Sequence, residues 1–160
     1  MSAEKSLQDK VMPHPLAARA AGYEEPPEGL DEAMMERLVR EFYTRARADS
    51  LLGPIFEERL AGHWEEHFAR LTDFWSHIGL RTGRYQGRPL PAHAGLDLTP
   101  AHFRAWLALF EQTARDVLPP EGARFFVARA QRIAESFQIG LNIGEKAMDF
   151  RAAQQSREPE

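Results

Sequence analysis

Apolar residues recur at steps of three and four along most of the chain, and that rhythm sets the expected elements. Met34, Leu38, Phe42 and Ala46 are spaced by four, with Met35, Val39 and Tyr43 beside them, which makes one broad apolar helix face. Asp31 stands where an N-cap belongs, and Leu30 is placed to staple against Met35. The helix should end before Leu51-Leu52-Gly53-Pro54, a breaker leading into Ile55 and Phe56. A second helix carries Trp64, Phe68, Leu71, Phe74, Trp75 and Ile78. Gly79, Gly83, Gly87, Pro89 and Pro91 then exclude a long helix, leaving room for one or two turns between Pro89 and Ala94, closed by Gly95. Thr99-Pro100 pairs an N-cap with a first-turn proline and opens a third helix through Phe103, Trp106, Leu107, Phe110, Ala114 and Val117. Pro119-Pro120 stops it. A last helix runs from about Gly122 into the 140s, with Phe126, Ala130, Ile133, Phe137 and Leu141 on its inner face. No alternating strand pattern and no internal repeat occur, so the expected class is all-α, with four long helices and one short one.

The ends read differently. Residues 1–29 contain Pro13, Pro15, Pro26 and Pro27 among acidic residues and are expected to form a flexible arm. The helical domain is expected over 30–148, followed by a polar tail over 149–160. A chain of 160 residues, 43% hydrophobic and with ten Phe and three Trp, is long enough for one well-filled core. The net charge of −4 offers no basic field for nucleic acid. The absence of cysteine excludes disulfides, zinc thiolates and cysteine nucleophiles. The N-terminal residues lack the apolar run of a signal peptide, and no stretch approaches the roughly 20 apolar residues of a membrane span. A cytoplasmic location is therefore expected, with no membrane partner.

Candidate metal chemistry rests on six histidines. His14 lies in the arm, and His77 and His102 read as solvent-facing flanks. His63 and His67 share a helix face, but the run His-Trp-Glu-Glu-His lacks the glutamate that a zincin places directly after its first histidine. No histidine has a glutamate three residues before it, as a di-iron bundle requires. His67 lies along the apolar seam with Trp64, Leu71 and Phe74. Its plain reading is a core histidine bonded to a backbone carbonyl, because an unbonded buried imidazole costs roughly 1–3 kcal/mol. His93 sits in the short Pro-bounded turn, where a lone histidine is ordinarily an exposed loop residue. Tyr43 and Trp106 read as core aromatics with polar tips. These patterns alone describe a helical globule with several polar groups in its core.

Taken in order, the short pieces form a larger pattern. Phe42-Tyr43, Leu-Gly-Pro-Ile-Phe (52–56), Trp-Glu-Glu-His (64–67), Phe74-Trp75, Tyr-Gln-Gly-Arg-Pro-Leu (85–90), His93, Phe103 with Trp106, and Arg-Ala-Gln-Arg-Ile-Ala (129–134) follow one another. The chain resembles the group III truncated haemoglobins from residue 31 to about 142. The resemblance implies a truncated globin helical sandwich enclosing one haem b (iron protoporphyrin IX), with His93 as the proximal iron ligand. It implies a distal pocket of Phe42, Tyr43, His67 and Trp106, with Phe42 beneath Tyr43. Phe56, Phe74 and Phe103 would pack against the haem. Arg70, one turn after His67, is the first candidate partner for the haem propionates, with Arg88 and His102 behind it. The arm before residue 30 departs from the compact family pattern.

The activity implied is reversible binding of dioxygen, nitric oxide or carbon monoxide at a five-coordinate iron. Oxidation of nitric oxide by bound dioxygen would need an external reductase, since the chain has no glycine-rich nucleotide-binding turn. Two alternatives stay open. One is a peroxidase-like haem enzyme using His67 as an acid–base group, and the other a non-haem helical interaction module whose aromatic cavity is only core.

Overall fold

The computed structural model describes residues 25–85, 87, 93 and 95–144, and among these residues five helices and no strand occur. Helix α1 spans Glu32–Ala48, and the Asp31 carboxylate accepts the Met34 backbone N–H at 2.9 Å, the capping expected from the sequence. After α1 the Asp49 carboxylate accepts the N–H groups of Leu51 and Leu52, which turns the chain.

The next element departs from the expectation. Gly53-Pro54, read as a breaker, is the first turn of an eight-residue helix, α2 (Gly53–Leu60). Proline at the start of a helix forfeits no hydrogen bond, because the first N–H groups have no intrahelical acceptor. Glycine is needed there for another reason: a Cβ on Gly53 would lie 2.6 Å from the carbonyl oxygen of Arg47. The same asymmetry explains where the last helix starts. Helix α5 covers Pro120–Gly140, so Pro119-Pro120 both ends one helix and opens the next.

Between them, α3 spans Trp64–Leu80 and stops at Arg81, which adopts a left-handed conformation with φ of 56°. Helix α4 (Pro100–Val117) starts with a reciprocal cap in which His102 takes the place usually held by Glu or Gln. Its Nδ1 accepts the Thr99 backbone N–H at 2.9 Å. The expected turn over 89–94 lies outside the described residues, apart from His93. Most of the arm and all of the tail over 149–160 lie outside them too.

Helix α1 is the hub, packing against α2, α3 and α4, while α4 packs along α5 across a connection short enough to make the two antiparallel neighbours. Met35, Leu38, Phe110, Phe126 and Ala130 fill the centre, each almost wholly shielded. Helices α3 and α5 approach closely at Gly79, where a Cβ would run into the ring tip of Phe126. Polar bonds set the register of the helices. Arg40 joins α1 to Glu65 of α3, Arg45 joins α1 to Asp116 of α4, and Arg47 joins α1 to Glu57 of α2. Such exposed pairs each contribute at most about 1 kcal/mol, so the apolar core carries the stability. Glu32 accepts from the fully buried Ser76 hydroxyl at 3.1 Å and also pairs with Arg84. That ties the segment after α3 to the start of α1.

Candidate functional site

Consecutive helix positions point about 100° apart, and α1 uses this at Phe42 and Tyr43. Phe42 faces α4, edge-on to Trp106 (5.9 Å between centroids) and Phe110 (5.8 Å). Tyr43 turns instead toward α2 and α3, with Phe56 at 5.3 Å, His67 at 4.8 Å and Phe68 at 5.8 Å. The two rings meet edge to face at 5.0 Å, so Phe42 packs against Tyr43. Tyr43 is 6% exposed, and burial pushes its phenol far above the ordinary tyrosine value. It therefore stays a neutral O–H donor at every physiological pH.

His67 does not follow its plain reading. Its Nε2 is shut off from solvent and has no hydrogen-bond partner. Burial, then the charge of Arg70, then that of His93 hold its pKa down to about 4. The ring is neutral at pH 7, with one nitrogen a donor and the other an acceptor. A further polar atom went unrecognised in the sequence: the indole Nε1 of Trp64, also buried without a partner. Its position one turn before His67 on the same face was visible, but a tryptophan there reads as packing.

Trp106 of α4 is half-buried and stacked on Phe110, with centroids 5.4 Å apart and planes at 19°. A small cavity of about 20 Å³ lies between α1, α3 and α4, and Tyr43, Leu71, Trp75 and Trp106 are among its lining residues. Thus Phe42, Tyr43, Phe56, His67 and Trp106, scattered over 65 residues, form one connected aromatic wall.

His93 is half-buried and reaches α5, its ring 4.7 Å from Phe137. The chain turns away directly after it, at Gly95 with φ of 86°, and Leu96 donates back to the His93 carbonyl. His93 is near enough to His67 for its charge to depress that ring's pKa. Phe74 packs on Tyr85 at 5.0 Å, and Phe103 is buried in the first turn of α4. Arg70 is exposed, makes no ion pair among the described residues, and acts electrostatically on both His67 and Tyr85. Arg88 lies outside the described residues. His102 spends Nδ1 on its helix cap, which leaves only Nε2 for another partner. His63 and His77 are exposed.

No family model matches the chain. The group 3 truncated hemoglobin ctb of Campylobacter jejuni is 37% identical over 117 residues, which span 69% of this chain and 91% of that protein. This chain belongs to the group III truncated haemoglobins. The crystal structure of the group III truncated hemoglobin from the same organism agrees, with a TM-score of 0.66 and 35% identity over 72% of this chain and 94% of that one. The truncated globin sandwich expected from the sequence is therefore the fold, and membership of the family implies a haem. The residues present fit that group. A half-buried imidazole lies within electrostatic reach of a neutral one, beside a mostly apolar wall carrying buried polar atoms that no protein group satisfies. No helix among the described residues is long and apolar enough to cross a membrane.

Proposed function

We propose that this truncated haemoglobin holds haem b through His93 and binds dioxygen and other diatomic ligands on the side lined by Tyr43, His67 and Trp106. The observation that carries this reading is His67: a neutral, half-buried imidazole whose enclosed Nε2 has no hydrogen-bond partner, within electrostatic reach of His93. Buried side-chain polar atoms in native proteins are mostly hydrogen-bonded, so an enclosed nitrogen without a protein partner points to a water or ligand beside it. The haem iron, when bound, supplies the coordination position at which a diatomic ligand gains partial negative charge.

The chain's own residues do the rest. The Tyr43 hydroxyl and the Trp106 indole N–H are donors for such a ligand, and neither can lose its proton near pH 7. A hydrogen bond to a charged acceptor is worth about 1.5–3 kcal/mol, or roughly 10- to 150-fold in affinity. Two donors favour slow release, which suits capture or consumption of ligand better than delivery. Oxidation of nitric oxide to nitrate by dioxygen fits that behaviour: dioxygen takes three electrons from nitric oxide, and a separate reductase supplies the fourth. Arg70, exposed and without an ion pair among the described residues, is the partner for a propionate. The protein works in the cytoplasm.

Absorption spectroscopy on the purified protein tests the first step: a Soret band is expected, and a colourless protein that takes up no added hemin overturns the reading. Flash photolysis and stopped-flow then separate a slow-release trap from a fast carrier. Peroxide activation is a second reading, favoured by the neutral His67, which can accept a proton from peroxide. Steady-state peroxidase turnover no better than that of free haem removes it.

A further inference from the structure

One polar atom in the distal wall has no part in the function proposed above. The indole Nε1 of Trp64 is buried and unpartnered, as is Nε2 of His67. Buried polar groups left without a bond are rare in native proteins, so two in one place call for a common partner. They are chemically complementary. An indole N–H can only donate, whereas a neutral imidazole presents one nitrogen lone pair.

Their placement favours sharing. Trp64 and His67 are one turn apart on α3, with ring centroids 6.5 Å apart and planes at 84°. The two nitrogens make no direct hydrogen bond. A water accepting from the indole and donating to the imidazole joins nitrogens about 5–6 Å apart, within the reach of two rings placed one helical turn apart. The indole is also held from both sides. Outside, the Arg47 guanidinium carbon lies 4.2 Å from the ring centroid while its Nε bonds Glu57 at 2.9 Å. Inside, Tyr43 lies 6.1 Å away and Phe68 5.9 Å. Turning the N–H outward would give up the cation–π contact and the packing together.

We infer that Trp64 is a positioning residue of the distal pocket, whose indole N–H donates to a water that in turn donates to Nε2 of His67, fixing His67 as the Nδ1–H tautomer with its ring turned inward. With its one lone pair taken by that water, Nε2 of His67 offers no donor to a ligand, and donation falls to Tyr43 and Trp106. The clamp itself belongs to the chain; its effect on ligands rests on the haem reading above.

The test is Trp64→Phe, which keeps an aromatic ring and removes the N–H. In the 15N-labelled carbonmonoxy protein, the His67 nitrogens of the unmodified chain should show the Nδ1–H pattern, and Trp64→Phe should mix the tautomers. The carbon monoxide association rate should change about 2- to 10-fold, the scale of one hydrogen bond. Conversely, His67→Ala should shift the Trp64 indole proton and hasten its exchange with solvent; this variant decides the matter if Trp64→Phe does not fold. A tryptophan that serves packing alone would alter stability without moving the tautomer. The inference is overturned by an Nε2–H tautomer in the unmodified protein, by His67 nitrogens unchanged in Trp64→Phe, or by an indole proton indifferent to His67→Ala. Failure of the haem reading shows separately, as a missing Soret band, and the nitrogen resonances of that same preparation still decide on the clamp.

Discussion

The two sides of the pocket are built in opposite ways. The proposed distal wall draws on α1, α2, α3 and α4, and its rings support one another: Phe42 holds Tyr43, Phe110 stacks on Trp106, and Tyr43 meets His67. His93, the proposed proximal ligand, comes from the stretch between α3 and α4, closed by a glycine with φ of 86°, with Phe137 against its ring. The distal side is therefore part of the core and is preformed by folding. On the proposed proximal side the haem would hang on the single side chain of His93, so its removal should cost the cofactor while sparing the fold.

Replacing His93 probes that difference most severely. His93→Gly should abolish stable haem retention, or make it depend on added imidazole, while helix content by circular dichroism stays unchanged. Haem retention unaltered in this variant would mean that another residue holds the iron. On the opposite side, Tyr43→Phe and Trp106→Phe should each keep the haem yet speed dioxygen release roughly 10- to 150-fold, measured by stopped-flow. Equal off-rates in all three proteins would show that the donors face something other than the ligand.

Two smaller effects sharpen the contrast. Gly79→Ala drives a methyl group against the fully buried Phe126 ring and should cost about 1–3 kcal/mol in denaturant unfolding of the apoprotein. An unaltered midpoint would mean that α3 and α5 are free to shift apart. The acid dependence of stability should follow His67. Its folded pKa of about 4 lies below its ordinary value of 6.5, so the unfolded chain binds more protons between these values. Stability in the apoprotein should thus be intact above pH 6.5 and fall as the pH drops toward 4. Allowing for the ring's partial exposure, the loss is on the order of 1–2 kcal/mol. His67→Leu should flatten that part of the profile, and a profile unchanged by the substitution would locate the acid sensitivity elsewhere.

The residues differ in how openly the sequence declared them. Asp31, Thr99-Pro100 and the Met35–Val39–Tyr43 spacing announced their helices, because caps and periodicity are local and depend on neighbours within one or two turns. Helix α2 was hidden, since Gly53-Pro54 serves equally to stop a helix or to start one. Which it does depends on the tight backbone turn that brings Gly53 back against the Arg47 carbonyl, a path that apolar periodicity does not report. His102 reads locally as a flank residue, yet its ring closes a helix cap.

The sequence by itself determined an all-helical chain, most of its helix boundaries, and a family likeness strong enough to point to His93, Tyr43, His67 and Trp106. Only the tertiary structure decided what surrounds those side chains. Whether Nε2 of His67 finds a partner, whether the Trp64 indole is satisfied, and whether the charge of His93 reaches His67 depend on how α1, α3 and α4 lie against one another. Hydrogen-bond satisfaction and desolvation are properties of an enclosed volume, and no linear spacing encodes which groups will be closed into it together.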